Sequence, residues 1–441
     1  MKKYDLRLTI LIGLIFRLIL MPLTAHPFDV YSWYIYCRDI SATTFGHFVL
    51  NSAKPLWYLI LYVISHVYTL LAEISGLAST NIDTLPPIFN PHYGIELIPG
   101  PLFTTLVKIP LIISDIGITS IIYKIVNISY TKKQAIHTAS LFYLNPITIW
   151  ISAGWGQYDS LPTLFIILSL YFFINGKEVT SAITLLVASL FKAYSLAFFM
   201  PYLLYLYKRK KKRTLIRYSI IFLSIYFIFI MSKQISSAGH PLNNLLTVFF
   251  FNDTFYSIFG YGLTYWSVSM LFPIQTIFWA PITSIIMVIL LILSTYVTLN
   301  ETFDDSLKSL TVSSILFISA FFLSSRWVSE QWIICLIPFL ALMVNQKDIK
   351  PNLFWSISII SFLYTQKNFP YYLLPLASIK PTFLLQFFDI TKPFRSISNG
   401  ILLPSFSGRI ILSILGTIFS LLLLKIVFHI YKTIKYENIN V

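Results

Sequence analysis

Apolar runs of about 20 residues, long enough for a helix to cross a bilayer, recur along the chain between short stretches of Pro, polar and basic residues. The runs at 6–25, 101–123, 134–153 and 160–175 fill the first half, and those at 214–231, 274–298, 307–324, 332–345, 353–365 and 409–430 fill the second. Charge gives them direction, because short basic loops stay on the cytoplasmic side. With the N-terminus inside, span 6–25 leads to an outer loop at 26–100, and span 101–123 must run inward to reach Lys124, Lys132 and Lys133.

Two stretches resist a simple crossing. The apolar segment 55–72 would invert the basic loop at 124–133 if it crossed, so it is expected as a juxtamembrane or re-entrant element lining the long outer loop. The run 180–207 has an inner end on both sides, Lys177 before it and the cluster Lys208–Arg213 after it. Two short helices meeting near Lys192 satisfy that parity. The reading is an all-α polytopic membrane protein of about 12 transmembrane helices with a long outer loop containing juxtamembrane helices. The basic start and the apolar stretch to Leu23 read as a first span or uncleaved anchor.

Composition agrees: the chain is 56% hydrophobic and only 11% charged. A net charge of +15 would suggest nucleic acid in a soluble protein, but here the basic clusters flank apolar runs, and no nucleic-acid partner is expected. Cys37 and Cys335 offer neither a metal-ligand spacing nor a disulfide framework. The partners expected from the pattern are membrane lipids, in a prokaryotic plasma membrane or an endoplasmic reticulum.

Once the spans are drawn, most chemistry-bearing residues fall on the outer side. His26, Asp29, Arg38, Asp39 and Lys54 lie in the first outer loop, Gln157, Tyr158 and Asp159 in the second, Lys192 near the third tip, and Arg326 and Glu330 in a later loop, with further outer loops at 232–273 and 366–408. Carboxylates and cations on one face suit a reaction in which an acid or base works on one substrate while cations hold an anionic group of another. Each residue also has a plainer reading. Asp29 can cap a span end, and Asp159 can cap the helix that starts at 160. Lys192 can snorkel to the interface, although an ammonium inside an apolar run costs ~2.5–3.5 kcal/mol on insertion scales. Lys108 and Asp115, seven residues apart, share a helix face but are too far apart to pair along it, so they pair with other helices or line a polar path. His66 is expected to be a satisfied buried imidazole.

The order of segments resembles a known group. "HPFDVYSWY" (26–34), "LVKIPLIISDIGITSIIYK" (106–124), "NPITIWISAGWGQYDSLPTLFIILSLYF" (145–172), "LFKAYSLAFFMPYLLYL" (190–206) and "SEQWIICLIPFL" (329–340) are similar to segments of the GT-C superfamily of integral membrane glycosyltransferases. Mannosyl- and glucosyltransferase-like members that use polyprenyl-phosphate sugars are the nearest. The resemblance implies one membrane domain over 1–441, in which a helical module at 101–345 follows the outer loop and further spans with an outer loop occupy 346–441. It implies Asp29 as the residue that activates or orients the acceptor hydroxyl, Lys192, Arg326 and His26 as donor phosphate partners, and Gln157, Tyr158 and Asp159 as pocket residues. The implied donor is a polyprenyl- or dolichyl-phosphate sugar, and the acceptor a lipid-linked glycan, glycolipid or protein. No cofactor is implied, and a divalent metal is neither demanded nor excluded. The first outer loop lacks an Asp-x-Asp pair, which leaves open whether Asp159 completes the site. A transporter or flippase, and a noncatalytic subunit of the same fold, are the competing readings.

Overall fold

The computed structural model describes residues 5–42, 54–75, 82–84, 97–236, 262–271, 279–303, 305–325, 328–378, 381–391 and 406–439. Helix α1 (Leu6–Leu23) is followed by α2 (Pro27–Ala42) and α3 (Pro55–Ser75), and a short antiparallel pair, β1 (Ile82–Thr84) with β2 (Leu97–Pro99), leads into α4 (Pro101–Ser129). Next come α5 (Lys132–Tyr143), α6 (Pro146–Ile149) and a π-helical segment, Trp150–Trp155. Helices α7 (Ser160–Ile174), α8 (Glu178–Phe191), α9 (Phe199–Lys208) and α10 (Lys212–Ser236) complete the first half. The second half holds α11 (Trp279–Asn300), α12 (Ser306–Ser324), α13 (Ile337–Asn345), α14 (Pro351–Thr365), α15 (Pro381–Ile390) and α16 (Phe406–Ile439). Apart from the strand pair, the described chain is an all-α, multi-pass membrane architecture.

Six of these helices are long and apolar enough to cross a membrane, and Ser160–Ile174, Glu178–Phe191 and Glu330–Asn345 are shorter apolar elements. The six include residues 55–72, which the charge pattern had kept out of the crossings. α3 is a continuous helix, yet Trp57 near its start stacks on Tyr158 at 4.6 Å and Tyr68, eleven residues later and about 16 Å along the axis, packs on Phe103 in the first turn of α4. It therefore rises beside the N-terminal half of α4 as a wall. Its other face exposes Leu59, Val63, Val67, Leu70 and Ile74 to lipid. His66 lies on the exposed side of the helix, bonded to the Tyr62 carbonyl, rather than in the core.

Buried polar pairs tie the spans together. Arg17 of α1 donates Nε–H to Asp115 of α4 at 2.9 Å, and Ser152 and Ser160 donate to the same carboxylate at 2.6 and 2.7 Å. Arg17 also reaches the carbonyls of Gly13 and Tyr143 and lies over the Tyr143 ring. Lys108, on the same helix as Asp115, donates to the carbonyls of Met21, Thr24 and Gly154, so its charge meets the carbonyl end of α1. Lys108 and Asp115 are thus both engaged structurally, each through other helices.

The basic loops meet at the opposite end. Lys208 pairs with Glu301, Arg209 donates to the Phe303 carbonyl, and Lys308 pairs with Asp348. Tyr130 shares this end, its phenol pushed up by burial and then by the charges of Asp305 and Asp348.

Candidate functional site

The site is built on the stretch Trp155–Ser160, and its local geometry follows from two glycines, Gly154 and Gly156. The π-helical segment leaves Gly154 against the Trp150 ring, where an added Cβ would sit 2.4 Å from a ring carbon. π-Helical turns of this kind widen a helix and re-aim the residues beyond it. Gly156 then takes φ +89°, and a Cβ there would come within 3.1 Å of Lys108 Cε and 3.2 Å of Val30 Cγ2. For Gly156→Ala the left-handed backbone alone costs about 1–2 kcal/mol, and crowding against Lys108 adds to it. A drop in the thermal unfolding midpoint of the purified protein is the expected outcome.

The turn holds one functional side chain at each end. At its start, the Trp155 indole donates Nε1–H to Asp29 Oδ2 at 2.6 Å. Asp29 sits in the first turn of α2, after Pro27 at the position where the missing N–H costs nothing. His26 precedes the helix, accepts the Asp29 backbone N–H on Nδ1 at 3.2 Å, and stacks on Trp155 with ring centroids 4.5 Å apart. Burial pulls the His26 pKa down, against the attraction of Asp29 and Glu330, and Lys367 adds to the depression. The ring is therefore neutral and serves as the cap of α2. The Asp29 side chain keeps 18% of its surface exposed.

At the end of the turn, Asp159 accepts from Lys192 Nζ at 2.6 Å and from the Tyr194 hydroxyl at 3.1 Å. Its side chain makes no capping bond to α7, so the helix-cap reading of Asp159 is overturned: a cation 33 residues away claims the carboxylate. Lys192 does not snorkel either. It occupies an extended break, φ −150° and ψ 133°, between α8 and the 3-10 turn Ala193–Phe198, as the parity of 180–207 required. Its ammonium lies 4.3 Å from the centre of the Tyr158 ring. Gln157 is 4% exposed, and its Oε1 finds no hydrogen-bond partner among the described residues.

Several contacts of the site were not legible in the sequence, including the place of Lys54, which stood there only as an outer-loop residue. Lys54, just before α3, stands 5.6 Å from the Tyr158 ring and 5.7 Å from the Trp33 ring. Its pKa is lowered to about 8, first by burial and then by Lys192, with Asp29 and Asp159 pulling the other way. Three charges from three separate loops therefore act on one ammonium. On the far side of His26, Asn368 Nδ2 is 2.7 Å from His26 Nε2, and Lys367 pairs with Glu330 at 2.8 Å. A basic residue directly after a span, in "QKNFPYY", was the available signal for this second wall. Arg326 lies outside the described residues, and Arg38 is exposed on α2. Among the described residues no three His, Cys, Asp or Glu side chains gather as a metal site.

The site is recessed. Ser160, next to the turn, bonds Asp115, fourteen residues into α4 and so about 21 Å along that helix from its outer start. α3 and the first turns of α4 stand above it.

A solved structure is similar. ArnT from Cupriavidus metallidurans, bound to undecaprenyl phosphate, matches with 11% sequence identity and a TM-score of 0.42, covering 96% of this chain and 77% of that one. No family model and no curated protein matches the chain.

Proposed function

We propose that the chain is a membrane-embedded glycosyltransferase that moves a hexose, with mannose favoured, from a polyprenyl-phosphate sugar to an acceptor hydroxyl at the outer face. The observation that carries this reading is the double hold of one turn: Trp155 fixes the partly exposed Asp29 carboxylate, and Asp159, four residues on, fixes Lys192 beside Lys54. A base and two cations are thereby set around one recess. The acceptor O–H gives its proton to Asp29 while the oxygen forms its bond to the anomeric carbon; the bond from that carbon to the phosphate oxygen breaks, and its electron pair leaves with the polyprenyl phosphate. Direct displacement of this kind inverts the anomeric centre. The lysines lower the energy of the departing phosphate without any proton transfer, and Gln157 and Tyr158 line the recess. A phosphate entering it competes with Asp159 for Lys192.

The pH dependence is specific. The folded-state pKa of Lys54, about 8, lies below its ordinary value of 10.5, so the unfolded chain holds the proton over that interval and stability rises with pH through it. Donor attraction runs the other way, falling as pH passes about 8 and Lys54 loses its charge. The expected outcome is a KM for donor that climbs above that pH in the native enzyme, and a Lys54→Gln variant with a raised KM that no longer changes there.

The function itself is tested by incubating purified protein with a panel of polyprenyl-phosphate sugars and an acceptor extract. Transfer of one sugar from the panel supports the reading. Facilitated movement of the intact lipid between leaflets, with no sugar transferred, would favour a flippase.

A further inference from the structure

The end of the molecule opposite Asp29 closes three helices with the same backbone device, in which the third residue past the helix donates its N–H five positions back. After α7, Lys177 donates to Phe172 and Gly176 to Phe173; after α9, Lys211 donates to Leu206 and Lys210 to Tyr207; after α13, Asp348 donates to Met343 and Lys347 to Val344. The residue at the bend must be left-handed, and glycine fits it best because it has no Cβ. Gly176 takes that place with φ 72°. At the other two bends stand Lys210, φ 56°, and Lys347, φ 62°. These are the two positive-φ residues other than glycine among the described residues.

A strained lysine where glycine would serve calls for a gain that depends on the side chain. Capping the helix dipole is one such gain, but a lysine outside the left-handed position supplies it equally well. The surroundings suggest another. Lys210 is exposed, and so are Lys212, Arg213 and Arg217 on the first turns of α10. Four carboxylates described at this end are already engaged: Glu178 with Lys211, Glu301 with Lys208 and Ser309, Asp348 with Lys308, and Asp305 with the Leu307 N–H. The loop Glu301–Phe303, bonded to Lys208 and Arg209, ties the Lys210 corner to the end that also holds Asp305 and Asp348. The result is a cationic corner beside exposed apolar residues of the same helix, Ile216 and Ile220.

We propose that this corner holds the phosphodiester headgroup of an acidic phospholipid of the cytoplasmic leaflet, with Lys210, Lys212, Arg213 and Arg217 as its cationic contacts and Lys347, on the bend after α13, adding positive charge at the same end. Juxtamembrane basic clusters are attracted to anionic leaflets, and the apolar turn below them accepts the acyl chains. The site is independent of the transfer chemistry and lies at the other end of the molecule.

The test separates strain from charge. The full chain is reconstituted in nanodiscs of phosphatidylcholine alone or mixed with phosphatidylglycerol, and the thermal unfolding midpoint is read. The native protein is expected to unfold at a higher temperature in the acidic mixture, and inorganic phosphate added to neutral discs is expected to give no shift. Lys210→Gly and Lys347→Gly relieve the left-handed bends, so in neutral discs they are expected to match or exceed the native midpoint; together they lose at least half of the rise due to phosphatidylglycerol. Arg213→Gln with Arg217→Gln removes most of the remainder. An equal midpoint in both lipids, a phosphate-induced shift of the same size, or a glycine double variant with the full lipid response would each overturn the proposal.

Discussion

Asp29→Asn is expected to lower sugar transfer by about 10²–10⁴-fold, the usual worth of a positioned general base, while the protein still inserts and folds. The separation follows from the contacts. Asparagine has the same shape, and its carbonyl oxygen can still accept the Trp155 indole N–H that the carboxylate accepts now. The α2 cap is unaffected, since it uses the His26 ring and the backbone N–H of position 29. What disappears is a basic oxygen able to take the acceptor proton. His26 cannot stand in, because its Nδ1 is occupied by that backbone N–H and its Nε2 faces Asn368. Transfer by the asparagine variant at the native rate, measured with saturating donor, would remove Asp29 from the role of base.

The second large effect is on stability. Asp115 receives Arg17, Ser152 and Ser160, with both ionic partners fully buried. Removing one member of such a pair leaves an uncompensated charge and costs about 3–5 kcal/mol. Asp115→Ala is therefore expected to unfold at a much lower temperature and to express poorly in the membrane. The companion variant Arg17→Met with Asp115→Leu removes both charges together and is expected to regain most of that loss. Because Ser152 precedes and Ser160 follows the Trp155–Asp159 turn, the rescued protein is expected to transfer sugar more slowly than its stability alone accounts for. A double variant no more stable than Asp115→Ala, by thermal unfolding in detergent, would contradict this account of the pair.

Hydropathy and charge parity anticipated the helical architecture, and parity did the finer work at 180–207. It demanded a break near Lys192, and the chain bends there. The same rule kept 55–72 out of the crossings; the segment is one continuous helix whose length and apolar character would also allow it to span, which parity, counting only loops, does not register. The sequence grouped Asp29, Asp159 and Lys192 on one face, and the fold brings them around one recess, but their pairing was not legible. Whether a carboxylate at a helix start caps that helix or meets a distant cation is decided by tertiary placement, and Asp159 went to Lys192. Trp155 was hidden for another reason: among so many aromatics, nothing in the sequence marks the one whose N–H points at a carboxylate. Lys54 was visible only as a loop residue, and Lys367 and Asn368 not as site residues at all, because no periodicity describes how such loops pack. Lys108 and Asp115, once open to a polar path through the membrane, are instead fixed to carbonyls, serines and Arg17.

The most direct measurement follows both products of one reaction. Purified protein is given a polyprenyl-phosphate sugar labelled in both the sugar and the lipid, together with acceptor, and the labels are counted as glycosylated acceptor and free polyprenyl phosphate. The expected result is equal formation of the two, with inverted anomeric configuration in the product, in the native protein and not in Asp29→Asn. Release of polyprenyl phosphate without glycosylated acceptor, retention of configuration, or the same yield from both proteins would contradict a transferase built around Asp29.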